Sequence, residues 1–346
     1  MWNKLKNRSS GDQKGRFSYL LNEREEYFTF VRDEYKRKKL SFIVVDKGKI
    51  LKGLRDGDTR TIASAITSIE NDLEGSRQLL MSLPSDLPNA TVVGITGPPG
   101  AGKSTLVNAL LHAWTAKGKR VAVLLIDPSS PFNFGALLGD RIRMSDFYLN
   151  PSVYIRSLAS RGALGGLNHR IIEIVALLKA CPFDYILIET VGVGQSEVEI
   201  AGIADTTLVV VVPEAGDEIQ TMKAGLMEIA DIFVVNKSDR EQASELLKHL
   251  KALAHHRAHA WEIPVIAAVA TEGKGLDELL VSIEQHQTYN DTHLQRKLHL
   301  LTEKVWQLIQ HEKMKGYDFS KLAEAILHAQ QMGPVNIFQF AQNYRP

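Results

Sequence analysis

TVVGITGPPGAGKST, residues 91–105, is the stretch on which the fold turns. Thr91 to Ile95 is a short apolar run of strand character, and Gly97-Pro98-Pro99-Gly100-Ala101-Gly102-Lys103-Ser104 matches the spacing G-x-x-x-x-G-K-S. A helical pattern follows, with Leu106, Val107, Leu110, Leu111 and Trp114 on one side. Glycines at these places let the backbone curl until its N–H groups and the helix N-terminus face phosphate oxygens, where the helix dipole adds its field. In such a loop Lys103 neutralises β- and γ-phosphate charge, and the Ser104 hydroxyl is a Mg²⁺ ligand. The strand before and the helix after separate this match from a mere glycine-rich turn.

Further along, short Val/Ile-rich runs alternate with helical stretches: strands at Val121 to Ile126, Tyr185 to Ile188, Leu208 to Val212, Ile232 to Val235 and Pro264 to Val269, with a helix at Ile171 to Leu178. Continuous apolar strands separated by helices predict an α/β fold, a mostly parallel sheet covered on both faces. N-terminal to it, Ile62, Ile66, Ile69, Leu73 and Leu80 recur at helical spacing between Thr59 and Leu83, before Pro84 and Pro88. After Gly275 the chain reads helical, with Leu301, Val305, Leu308 and Ile309 in one stripe and a break at Met332 to Pro334. The expected division is a charged N-terminal extension without assigned role (1–46), a helical lead-in (47–90), the α/β core (91–285) and a C-terminal helical segment (286–346).

The 346 residues suit about two domains. A net charge of +1 argues against a strongly electrostatic nucleic-acid or membrane binder, and no apolar run approaches the ~18 residues of a membrane span. One cysteine, Cys181, excludes an internal disulfide or a multi-thiolate zinc site and suits a reducing cytoplasm. Residues 1–20 carry five basic groups against Asp12. They read as a loose tail; a mitochondrial transit peptide, which would imply the matrix of a eukaryotic cell, calls for an amphipathic face that they lack.

Three further groups sit at strand ends. Asn236-Lys237-Ser238-Asp239 follows the strand 232–235. A carboxylate there accepts from guanine N1–H and the exocyclic amine together, a donor pair adenine lacks, while the lysine stem packs on the base. Glu189, at the end of the strand 185–188, stands where a magnesium-linked carboxylate belongs, with Gly192 leaving room beside a γ-phosphate. Asp127 ends the strand 121–126 on the same rim, as a further metal-side acid or as a turn cap.

Together these residues resemble the MeaB/ArgK-like, methylmalonyl-CoA mutase-associated P-loop GTPases of the SIMIBI class. The resemblance runs from about Lys49 to the C-terminus and is carried by GPPGAGKST (97–105), DPSS (127–130), LGDRIRM (138–144), ETVGVGQSE (189–197), GDEIQ (216–220) with Lys223, and NKSD. Positions 98–101 hold no lysine, which excludes a MinD-type deviant loop. The resemblance implies GTP/GDP and Mg²⁺ as ligands. Gly97, Pro98, Pro99, Gly100, Ala101, Gly102, Lys103, Ser104 and Thr105 would hold phosphates, with Asn236, Lys237, Asp239 and Ala270 around the base. Ser104, Asp127, Asp140 and Glu189 would surround the metal, and Lys103, Lys223, Glu189 and Asp140 would carry catalysis. It further implies a homodimer clasped by C-terminal helices, and a chaperone role on a B12-dependent acyl-CoA mutase. Adenosylcobalamin would belong to that partner, and Lys223 would swing toward the nucleotide when the partner binds, speeding hydrolysis.

Two positions depart from the family pattern: Phe134 stands where small residues precede LGD, and Val269-Ala270 replaces Ser-Ala. Arg156 and Arg161 lie in a segment that steers an anion or solvates a loop. A nickel-insertion GTPase of the same class would need a metal tract, for which only His255, His256 and His259 are at hand. A transport-associated ATPase or kinase is disfavoured by NKSD.

Overall fold

The computed structural model describes residues 47–84, 90–127, 144–159, 167–168, 170–190, 199–215, 226–256, 261–289, 291–314 and 316–345. By its contacts the chain divides into a helical unit, residues 1–88 with Ala180–Pro182, and a sheet unit comprising the remainder.

In the helical unit, α1 (Lys47–Asp56), α2 (Thr59–Glu70) and α3 (Ser76–Met81) bury Leu54, Ile62, Ala65, Ile66, Ile69 and Leu79. The helical spacing over 59–83 belongs to two helices, with a break between α2 and α3. Asp72 (φ 49°) and Gly75 (φ 89°) take left-handed conformations there, which Asp and Gly tolerate and a continuing helix cannot contain. Leu73, counted in the stripe, falls in that break. Asp58 caps α2, its Oδ2 accepting from Thr61 N at 2.8 Å and Thr61 Oγ1 at 2.5 Å.

The sheet unit holds β1 (Thr91–Thr96), α4 (Lys103–Ala116), β2 (Val121–Asp127), β3 (Val153–Ala159), α5 (Ile171–Lys179), β4 (Tyr185–Glu189), β5 (Thr206–Val211), α6 (Leu226–Ile229), β6 (Ile232–Val235), α7 (Ala243–His256), β7 (Val265–Ala267) and α8 (Leu276–Thr288). Seven strands pair in the order β3-β2-β4-β1-β5-β6-β7, and every pairing is parallel. All carboxyl ends therefore lie on one edge, and the chain reverses its winding direction at β1, where such sheets leave a crevice for ligands. The interior strands β4, β5 and β6 are buried along their whole length, which explains their unbroken apolar runs. Trp114 of α4 stacks on Tyr185 of β4, centroids 4.2 Å apart, fixing the helix against the sheet.

One strand escaped the sequence pattern. β3 is at the sheet's edge and mixes Arg156 and Ser157 into its apolar residues, so it lacks the continuous run that marked the others. Arg156 is thus a strand residue opposite Leu124, not a loop residue. β7 is shorter than 264–269, because Val269 leaves the sheet to bridge Lys274.

Beyond the sheet, α9 (Asp291–Lys313), α10 (Phe319–Met332) and α11 (Ile337–Asn343) follow, the break at 332–334 falling where the sequence placed it. Among the described residues no helix is long and apolar enough to cross a membrane.

Candidate nucleotide site

The loop between β1 and α4 is shaped by its two fixed glycines. Gly97 has φ 138°, and a Cβ there would stand 2.0 Å from Val210 O on the neighbouring strand. Gly102 has φ 85°, and its Cβ would strike Asn236 Nδ2 at 2.3 Å. Only glycine fits either place, so the backbone lies close against β5 on one side and the β6 loop on the other. Gly102 is also the N-cap of α4, with no side chain capping it and no acid in the helix's first turn. This uncapped end of a 14-residue helix is the end whose dipole favours an anion.

Lys103 is 6 % exposed. Its Nζ donates to Gly97 O at 2.8 Å and Pro98 O at 3.0 Å, which holds the ammonium across the mouth of the loop. Ser104, also buried, donates from Oγ to Glu189 Oε1 at 2.6 Å. Glu189 is brought there by register, since it sits opposite Ile95 of β1 and Leu125 of β2. Next to it, the Thr190 hydroxyl donates to Thr96 Oγ1 at 3.0 Å, a link between the ends of β1 and β4 that no local motif announced. A hydroxyl and a carboxylate in contact at the foot of an anion loop form an all-oxygen donor pair, which fits Mg²⁺.

The base side is built by β6 and the turn after β7. Asn236 is 3 % exposed; its Nδ2 donates to Ala101 O at 2.9 Å and its Oδ1 accepts from Ala270 N at 3.2 Å. One side chain thereby ties the phosphate loop to the turn carrying Ala270. Lys237 takes φ 56°, unusual for a non-glycine residue, and reaches over the loop to donate from Nζ to Gly100 O at 2.9 Å. Ser238 N donates to Ala268 O at 3.0 Å. Asp239 is exposed at the rim.

Of the expected residues, 97–105, Glu189, Asn236, Lys237, Asp239 and Ala270 share the carboxyl edge of the sheet. Pro99, Gly100 and Thr105 are exposed, whereas Pro98 and Ala101 are buried. Asp127 ends β2 on the same edge, its side chain outside the description. Asp140, Lys223, Gly192, Phe134, Arg161 and His259 lie outside the described residues. The lysine contact with Gly100 and the Asn236 bond to Ala101 were invisible in the sequence, because Gly100 and Ala101 are more than 130 positions away.

A parallel sheet with a phosphate loop at its point of reversal, and an Asn-Lys-x-Asp turn clasped to that loop, defines a P-loop GTPase. Residues 62–318 match the model of one family within that class, the methylmalonyl-CoA mutase-associated GTPase MeaB, and the chain belongs to that family. A protein of Pyrococcus horikoshii named as a GTPase is 46 % identical over 246 residues, covering 70 % of this chain and 78 % of its own. The mouse mitochondrial methylmalonic aciduria type A homologue is 34 % identical over 293 residues, 78 % of this chain and 70 % of that one. A solved structure described as a LAO/AO transport system kinase superposes with a TM-score of 0.60 at 25 % identity, covering 86 % of this chain and 97 % of the other.

Proposed function

We propose that this GTPase hydrolyses GTP to GDP and phosphate as a Mg²⁺-dependent switch, gating the loading or protection of adenosylcobalamin in a B12-dependent acyl-CoA mutase, methylmalonyl-CoA mutase first. The observation that carries the nucleotide part is the Asn236 clasp, which makes the phosphate loop and the base turn one construction. The client rests on the family's description and on the name of the mouse relative.

In this reading Lys103 leaves the carbonyls of Gly97 and Pro98 for the β- and γ-phosphates, exchanging two neutral acceptors for charged ones. Ser104 and Glu189 would hold Mg²⁺, with Asp127 and Asp140 as further acids, and the ion would supply positive charge beside the phosphates. Asp239 accepts from the guanine edge, the Lys237 stem covers the ring, and Ala270 N–H faces the guanine carbonyl. Lys223 supplies a second cation only when the partner is engaged, so that hydrolysis is slow alone and faster in complex.

The test is a pull-down with purified methylmalonyl-CoA mutase, followed by GTPase rates with and without it. Complex formation and a rise in rate are expected. A chain that hydrolyses GTP but binds no cobalamin-dependent mutase would end the client assignment, and equal turnover of ATP would end the nucleotide assignment.

A further inference from the structure

Asp239 can read guanine only if its carboxylate is left to the base, and two cations stand beside it. Arg240 is the next residue in the chain, and its guanidinium carries five N–H donors on a long side chain. Lys274 approaches from the turn after β7: Val269 N donates to Lys274 O at 3.1 Å, and Ala268, next to Val269, accepts from Ser238 N at 3.0 Å. The base turn and the lysine are therefore two hydrogen bonds apart. Either cation, turned onto Asp239, would compete with the N1–H and amine of guanine for the same two oxygens.

The structure gives each of them another partner. Arg240 Nη1 pairs with Glu214 Oε1. Glu214 lies in the single 3₁₀ turn Pro213–Ala215 that leaves β5, the strand whose Val210 carbonyl forbids a side chain at Gly97. Lys274 Nζ pairs with Glu272 Oε2 at 2.6 Å. The Glu272 carboxylate is the first cause holding the Lys274 ammonium above its ordinary range, and the charge of Asp239 adds to it. Lys274 thus feels Asp239 while remaining bonded elsewhere. Both acids come from turns outside the four-residue base motif, and each engages one of the two neighbouring cations.

The geometry points to Glu214 and Glu272 as positioning residues for guanine selection: they hold Arg240 and Lys274 away from Asp239 and so keep its carboxylate for the base. Neither touches the nucleotide. The inference rests on the reading of Asp239 as the base-selecting residue, and it is independent of any client protein.

The experiment compares GDP with IDP, which lacks the exocyclic amine, by calorimetry on the full chain. Glu214→Gln is expected to lower the GDP:IDP affinity ratio by about two- to five-fold, the range of a half-exposed ion pair. Glu214→Gln with Arg240→Gln should restore the ratio, because the competitor is gone; Glu272→Gln and its double with Lys274→Gln should behave alike. A role in merely bracing the loops would leave both doubles as impaired as the singles, and that result overturns the inference. An unchanged ratio in Glu214→Gln and Glu272→Gln overturns it as well. A wild-type chain that binds GDP and IDP equally would instead strike the Asp239 reading, taking the inference with it, and the two failures are separated by the wild-type measurement alone.

Discussion

At the scale of single residues, Asn236 spends both ends of its carboxamide on the site, one on the phosphate loop and one on the Ala270 turn. Asn236→Ala strands a buried carbonyl and a buried N–H at about 1 kcal/mol each, so GDP should bind about thirty-fold more weakly, read by calorimetry. Retained affinity would show that the two loops keep their places unaided. Lys103→Ala acts differently, since it removes the buried ammonium at the loop mouth without breaking a loop-to-loop tie. Nucleotide binding should fall below detection while the melting temperature stays near that of the wild type. A loss of both would mean that the lysine's bonds to Gly97 and Pro98 are structural. The residues themselves were legible in the sequence because their chemistry is local: a phosphate loop is a spacing. Glu214 was not, because what it does depends on Arg240, and ion pairs between strand exits leave no periodic trace.

At the scale of elements, the central strands were legible because both their faces are covered, which forces near-continuous apolar runs. β3 was missed because the half-buried Arg156 interrupts its apolar run, and the α2–α3 break because helical spacing survives a five-residue interruption by chance. The N-terminus of α2 gives an element-level test. Asp58 is held below the ordinary carboxylate range, first by the Thr61 hydroxyl and then by the Thr61 N–H. A carboxylate with a lowered folded pKa contributes stability that is present above its unfolded value, near pH 4, and lost as pH falls through the lower folded value. Asp58→Asn keeps an N-cap acceptor without the charge. Urea unfolding should find the variant less stable than wild type at pH 7, and the gap should close as pH falls below the ordinary carboxylate range. A gap that persists in acid would mean that the carboxylate's charge is not what the cap uses.

At the scale of the whole molecule, the C-terminal helices present what the sheet unit does not need. On α9, Leu298, Leu301, Val305, Leu308 and Ile309 follow helical spacing, and they are 62, 57, 46, 47 and 43 % exposed, with Trp306 beside them at 61 %. The stripe read from the sequence is therefore not spent on this chain's own core. A contiguous apolar face on a 23-residue helix is of the kind that marks an interface. We infer a second copy of this chain as its occupant, the homodimer that the family resemblance implies. In a twofold assembly each substitution counts twice. Replacing Leu301 and Leu308 by glutamate removes four leucines at about 2 kcal/mol each, about 8 kcal/mol, enough to carry a nanomolar dimer to about millimolar. Light scattering at micromolar concentration should then give a dimer for the wild-type chain and a monomer for Leu301→Glu with Leu308→Glu. GDP affinity should hold within about threefold, because neither residue lies in the phosphate or base loops. A wild-type chain that is monomeric at every concentration would assign the stripe to another partner, and a doubly substituted chain that stays dimeric would place the interface elsewhere on the molecule.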